Sequence, residues 1–248
     1  MPARIYLVTG SNKGVGNGLV AALLSRPGTT VIAGVRDPAQ QVSKDLGFLP
    51  VGEDSRLITV KLDSTSSSDP VEAAKALQME HGIKTLDVVI ANAGILTYFG
   101  TVLSTPPEAL LEHFQINTIA PLQLISAMWP LMERSPSPQF YIISSNIASL
   151  ELSLQLPVPA LPYGVSKLAA NYIIRKLHLE NPSLVSVALN PGWVQTDMGW
   201  SSANSIGINE VPVTVEQSVQ GLLHVIDTAS REKTSGKFVG YDGAEVPW

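Results

Sequence analysis

Short β-branched and aliphatic runs alternate along this chain with longer stretches of helical periodicity, and no other property constrains its fold as much. The runs lie near 4–9, 30–35, 57–62, 86–91, 139–144, 184–190 and 236–240. Strands separated by helices have no tight turn through which to fold back, so they pair in parallel with the helices as crossovers. Runs such as "LDVVIA", "FYIIS" and "LVSVALN" are almost wholly apolar, the pattern of strands covered on both faces. The expected fold class is α/β: a single Rossmann-like, doubly wound parallel sheet of about seven strands, with helices on both faces, spanning 1–248 as one domain. With 248 residues, 45% of them hydrophobic, the chain can bury a core of that size.

In an open parallel sheet, ligands bind beyond the C-terminal ends of the strands. Two long loops fall there, 146–162 ("NIASLELSLQLPVPALP") and about 192–212, and these are the expected substrate loops. No cysteine is present, which excludes a thiol nucleophile and a disulfide framework. His81, His113, His178 and His224 show no ligand spacing, so no catalytic metal is expected. A net charge of −5 without any Lys/Arg-rich run argues against a nucleic-acid partner. The sequence shows neither a signal-peptide layout nor an apolar span of ~20 residues, and a cytoplasmic protein with no membrane partner is expected.

The stretch "IYLVTGSNKGVGNGLVAALL" reads as strand, glycine-rich turn and helix. Gly10, Gly14 and Gly16 allow a tight turn and close approach of a pyrophosphate to the backbone, at a helix N-terminus that supplies amide donors. The whole turn, Gly10, Ser11, Asn12, Lys13, Gly14, Val15 and Gly16, is therefore a candidate dinucleotide site, although a plain structural turn has the same composition. After the second strand, in "TTVIAGVRDP", the place for an acidic residue that would hold a ribose 2′-OH is taken by Val35, followed by Arg36. Arg36, helped by Lys13, suits a 2′-phosphate and points to NADP(H); Asp37 leaves an acidic partner as the alternative. Asp63 could accept a hydrogen bond from an adenine amino group or cap the following turn. In "ANAG", Gly94 permits close approach of a cofactor beside Asn92 and Ala93.

Further along, "YGVSK" places Tyr163 and Lys167 on one face of a helix, downstream of a strand that ends in Ser144-Ser145. Reducing a carbonyl requires a hydride donor, a proton donor and a group that steadies the alkoxide. A phenol is a poor acid–base group at neutral pH, and a nearby ammonium is expected to favour its ionised form. Lys167 provides that charge, and Ser145, further into the loop than Ser144, is the better candidate to bond the substrate oxygen. Upstream, "EHFQINTIAPLQLISAMW" reads as one long helix over 112–129, interrupted by Pro121. A mid-helix proline costs about 3 kcal/mol and leaves the carbonyl four residues earlier, that of Asn117, without its helical partner.

The motifs "TGSNKGVG", "ANAG", "INTIAP", "IISS", "YGVSK" and "NPGWVQTDM", in this order and over essentially the whole chain, resemble those of the short-chain dehydrogenase/reductase family. The resemblance implies a catalytic tetrad of Asn117, Ser145, Tyr163 and Lys167, with the Asn117 carbonyl holding a water that links Lys167 to solvent. It also implies cofactor contacts from Tyr163, Lys167, Pro191, Gly192, Val194 and Thr196. "NPGWVQTDMGW" and the ending "FVGYDGAEVPW" are most similar to sniffer-type carbonyl reductases and fungal norsolorinic acid ketoreductases. Two departures are Ala91 in place of the first asparagine of NNAG, and a longer interval from Ser145 to Tyr163.

Leu150, Leu152, Leu154, Leu156 and Val158 in the first loop, and Trp193, Met198 and Trp200 in the second, would wall an apolar pocket together with Leu96. The expected activity is NADPH-dependent reduction of a ketone or quinone on a hydrophobic, aromatic or polyketide-like substrate. Two alternatives share these residues: an NADP(H)-binding redox-sensing regulator, and an alcohol dehydrogenase working in the oxidative direction. The helix from Tyr163 carries apolar residues on more than one face, and related enzymes associate through it. A homodimer or homotetramer is therefore expected.

Overall fold

The computed structural model describes residues 4–248. Seven strands, β1 (Ile5–Thr9), β2 (Thr30–Val35), β3 (Arg56–Lys61), β4 (Val88–Ala91), β5 (Gln139–Ile143), β6 (Val185–Asn190) and β7 (Phe238–Gly240), form one sheet in the order β3-β2-β1-β4-β5-β6-β7. Every neighbouring pair is parallel. Successive side chains leave opposite faces of each strand. Leu7 accordingly joins a core with Leu77 of α3 (Asp69–Met79), Leu124 and Met128 of α5 (Ala120–Met132) and Ile174 of α6 (Leu161–Glu180). Tyr6 and Val8 join the opposite core, with Leu19 and Leu23 of α1 (Gly14–Leu24) and Leu222 and Ile226 of α8 (Val215–Thr228). Among the described residues the remaining α-helices are α2 (Gln41–Lys44), α4 (Pro107–Phe114) and α7 (Asp197–Ser205).

This order sends the chain one way from β1 to β3 and the other way from β4 to β7. The crossovers therefore part between β1 and β4, and the crevice at their C-terminal ends is where such sheets receive a ligand. Each strand lies within about two residues of its sequence-derived position.

The stretch 112–129 is not one helix. After α4 the chain widens into a π-helical turn, Gln115–Ile119, in which the Ala120 N–H donates to the Gln115 carbonyl five residues back, and only then continues as α5. Pro121 stands in the first turn of α5, where a missing N–H costs little. The penalty expected of a mid-helix proline is thereby avoided, while the Asn117 carbonyl still has no N–H four residues ahead. The two expected loops also contain structure. The first has 3-10 turns at Asn146–Ala148 and Leu152–Gln155 and gives way to α6 at Leu161; the second contains α7.

Candidate active site

Tyr163 and Lys167 lie on the buried face of the first turns of α6, 7% and 3% exposed. The Lys167 ammonium donates to the carbonyl of Ile143, the last residue of β5, at 2.7 Å and stands 5.8 Å from the centre of the Tyr163 ring. Burial pulls the Lys167 pKa down to about 8. Burial also pushes Tyr163 up to about 12, against a smaller opposite effect of the Ser145 hydroxyl beside it. Desolvation opposes charge on either group, so burial shifts the two pKa values in opposite directions.

The Asn117 side chain is fully buried in the π turn. Its Oδ1 accepts the Ile95 N–H at 2.9 Å, and its Nδ2 donates to the Ile95 carbonyl and the Ser166 hydroxyl, both at 3.0 Å. Both amide hydrogens are thus committed within the protein. Gly94 explains the close fit: a Cβ there would lie 3.0 Å from Asn117 Oδ1 and 3.1 Å from Lys167 Nζ. The two serines make different contacts. Ser144 is buried and donates to Asn171 Oδ1 at 2.6 Å, whereas Ser145 caps the following turn by accepting from the Ile147 N–H at 3.3 Å and adjoins the phenol.

At the glycine turn, Gly10 and Gly14 adopt φ of +64° and +54°, a region that favours glycine. A Cβ on Gly16 would lie 2.2 Å from the Gly10 carbonyl oxygen. The Ser11 hydroxyl turns inward to the Val8 carbonyl at 2.6 Å, while Asn12 and Val15 are half-buried. Asn92 Nδ2 donates to the carbonyls of Thr9 and Gly10 at 2.9 and 3.3 Å. Thr9, which sequence reasoning missed, accepts the Asn92 and Ala93 N–H groups on one hydroxyl at 3.1 and 3.0 Å. A threonine at a strand end carries no distinguishing signal; only the pairing of β1 with β4 shows its role.

Arg36 stands exposed at the end of β2. Asp37 accepts the Ala39 N–H at 2.9 Å and so closes a turn. Lys13, expected beside Arg36 at a 2′-phosphate, instead pairs with Asp197 at 3.2 Å, both side chains exposed. Asp63 Oδ1 caps the next turn through Thr65. Asp63 also borders a cleft with Thr9, Leu62, Ala91, Ala93 and Pro121. A positive-φ glycine turn after β1 with an exposed guanidinium after the neighbouring β2 fits a dinucleotide that carries an extra phosphate.

On the far side, Gly192 has φ +82°, the Pro191 carbonyl accepts the Ser218 hydroxyl at 2.7 Å, and Val194 is buried. Thr196 caps α7 through the Gly199 N–H, with its methyl 3.2 Å from where a Gly14 Cβ would be. The loop after β6 thus packs on the glycine turn. Trp193 donates its indole N–H to the Gly199 carbonyl at 3.0 Å. Gly199, also missed, has no room for a side chain, since a Cβ would meet the Val194 carbonyl oxygen at 1.9 Å. Leu96, Leu156 and Met198 are half-buried, and Trp200 is partly exposed. Leu150 and Leu154 are 66% and 94% exposed, so the apolar wall expected from the first loop does not include them; Leu154 stands on the outer side of the 3-10 turn at Leu152–Gln155. Among the described residues no cluster of His, Asp and Glu is placed to hold a metal.

Comparison with known proteins agrees with this geometry. The short chain dehydrogenase family matches residues 4–206. The chain is 46% identical to norsolorinic acid ketoreductase nor1 of Dothistroma septosporum, over 98% of this chain and 92% of that protein. It is 42% identical to the norsolorinic acid ketoreductase of Aspergillus parasiticus, over 98% and 91%. Among solved structures, the NADPH-bound carbonyl reductase from chicken fatty liver superposes with a TM-score of 0.88 at 32% identity, covering 100% of both chains. The carbonyl reductase Sniffer of D. melanogaster gives 0.85 at 25%, again over 100% of both.

Proposed function

The chain belongs to the short-chain dehydrogenase family, and from that premise we propose that it reduces a ketone or quinone carbonyl on a hydrophobic, aromatic or polyketide-like substrate with NADPH. The observation that carries this reading is the buried Tyr163 phenol with the Ser145 hydroxyl beside it and the Lys167 ammonium 5.8 Å from its ring. NADPH, when bound, supplies the hydride. The Gly10–Gly16 turn would receive its pyrophosphate, Arg36 its 2′-phosphate, Asp63 its adenine and Lys167 its nicotinamide ribose. The NADPH-bound relative supports that choice, as does the neutral Val35 in the place of a ribose-binding carboxylate.

The chain's own residues handle the proton. Tyr163 gives its hydrogen to the carbonyl oxygen, and the Ser145 hydroxyl donates a second hydrogen bond to the same atom as charge grows there. The phenolate so formed is steadied by the Lys167 ammonium and reprotonated through it. The Asn117 carbonyl, which Pro121 leaves without a helical donor, is the acceptor that would hold a relay water beside Lys167. A phenol that keeps its proton at neutral pH is suited to the reductive direction.

The names of the fungal relatives make norsolorinic acid the first substrate to test, beside hydroxyanthraquinones, aromatic ketones and small quinones. NADPH and NADH oxidation are followed with wild type and Tyr163→Phe in parallel. Turnover preferring NADPH is expected, with a loss of about 10²- to 10⁴-fold in the variant and NADPH binding retained. Undiminished turnover in Tyr163→Phe would sink the mechanism, and a preference for NADH would sink the assignment of Arg36.

A further inference from the structure

Ser166 lies between the tyrosine and the lysine in the sequence, is wholly buried, and takes no part in the chemistry above. Its hydroxyl donates to the Tyr163 carbonyl at 2.8 Å and accepts from Asn117 Nδ2 at 3.0 Å. Its own carbonyl accepts the Thr118 hydroxyl at 2.7 Å. A helical serine often bonds back to a carbonyl three or four residues earlier, and that bond alone would mean nothing. What distinguishes Ser166 is that two consecutive side chains of another element, Asn117 and Thr118, both end on it. Those residues form the π turn, where the regular helical ladder is interrupted and local bonding specifies position less firmly. Without an external tie, the turn could shift against α6 while every strand and helix stayed in place.

We infer that Ser166 is a positioning residue for the reduction: by joining the π turn to the first turn of α6, it sets the Asn117 carbonyl against Tyr163 and Lys167. The inference rests on the ketoreductase reading. Ser166 touches neither substrate nor cofactor, and acts through Asn117 on one side and the Tyr163 backbone on the other. The third anchor is Ile95, whose N–H and carbonyl hold the remaining amide positions of Asn117. Removing the serine hydroxyl leaves one buried amide hydrogen of Asn117 without an acceptor, and the side chain is then free to rotate toward another.

The test is steady-state reduction with the intact enzyme. Ser166→Ala should lower kcat on the order of tenfold to a hundredfold, the scale of a catalytic group displaced by an ångström, with KM and the NADPH Kd within about twofold of wild type. Ser166→Thr keeps a hydroxyl able to bond a carbonyl one helical turn back and should restore most of kcat. Because Ser166 acts through Asn117, Ser166→Ala combined with Asn117→Ala should lose no more than Asn117→Ala alone. Losses that multiply, or a wild-type kcat in Ser166→Ala, would overturn the inference. If Ser166→Ala does not fold, Thr118→Val removes one tie and leaves Ser166 intact: reduced kcat at unchanged NADPH affinity supports the inference, and unchanged kcat overturns it. Tyr163→Phe separates the two claims. If it retains turnover, the underlying mechanism fails; if it is inactive while Ser166→Ala equals wild type, only the positioning role fails.

Discussion

At the scale of single residues, Tyr163 and Lys167 are driven toward their neutral forms by one cause, loss of solvent, and the consequence differs because one is an acid and the other a base. Lys167, with a pKa pulled to about 8, is charged at pH 7 and loses its charge as pH rises through that value. Tyr163, pushed up to about 12, stays protonated over the same range. The kcat/KM for ketone reduction should therefore be level near neutrality and fall through a midpoint near pH 8, read from a pH–rate profile at subsaturating substrate. A profile flat to pH 10 would show that the lysine charge is dispensable. The same sign governs stability. With a folded pKa below the ordinary 10.5, Lys167 contributes least below about pH 8 and more as pH rises from there toward 10.5. Gly94 makes a second prediction at this scale. Gly94→Ala puts a methyl about 3 Å from both Asn117 Oδ1 and Lys167 Nζ, so it should cost about 1–3 kcal/mol of stability and lower kcat. Gly47→Ala meets nothing within 4 Å and should stay within about 0.5 kcal/mol of wild type by chemical denaturation.

Between residues and the whole chain stands the π turn. An α-helix running unbroken from Pro107 to Met132 would cover the Asn117 carbonyl with the N–H of residue 121. The π turn and Pro121 together withhold that donor. Pro121→Ala returns an N–H to this position and relieves the helix of a residue that cannot bond. The expected outcome is a kcat reduced by about tenfold or more, as a relay acceptor is occupied, with a melting temperature no lower than wild type. Lower stability together with unchanged kcat would mean that the proline serves packing alone. The same element explains why Asn117 can act through its backbone: its side chain is consumed in holding the turn to Ile95 and Ser166.

For the whole molecule, the parallel sheet brings to one edge groups that are far apart in the chain: the glycine turn after β1, "ANAG" after β4, Ser145 after β5 and the loop after β6. Two contacts bridge the ends of this edge, Lys13 with Asp197 and Thr196 with Gly14. The exposed ion pair adds no more than about 1 kcal/mol. On the outside, Leu111 of α4 and Tyr172 and Leu179 of α6 are 70%, 67% and 70% exposed, apolar area of the kind that a second copy covers. Sedimentation of the wild type at micromolar concentration should give a dimer or tetramer; a monomer there would remove that expectation. Among the described residues, no helix is long and apolar enough to cross a membrane.

Local patterns carried much of this protein. The seven strands, the glycine turn, the tyrosine–lysine pair and the proline beside Asn117 could all be read from residue order, because periodicity, turn chemistry and a missing N–H are properties of neighbours along the chain. Tertiary structure alone decided the rest. The upward shift of the Tyr163 pKa follows from how much of the fold covers it. The tie between Asn117 and Ser166 joins residues 49 apart in sequence. The need for glycine at positions 94 and 199 comes from atoms of other segments, and Leu150 and Leu154 face solvent although their hydrophobicity suggested a wall. Desolvation and close approach depend on which elements meet, and a one-dimensional pattern does not encode those distances.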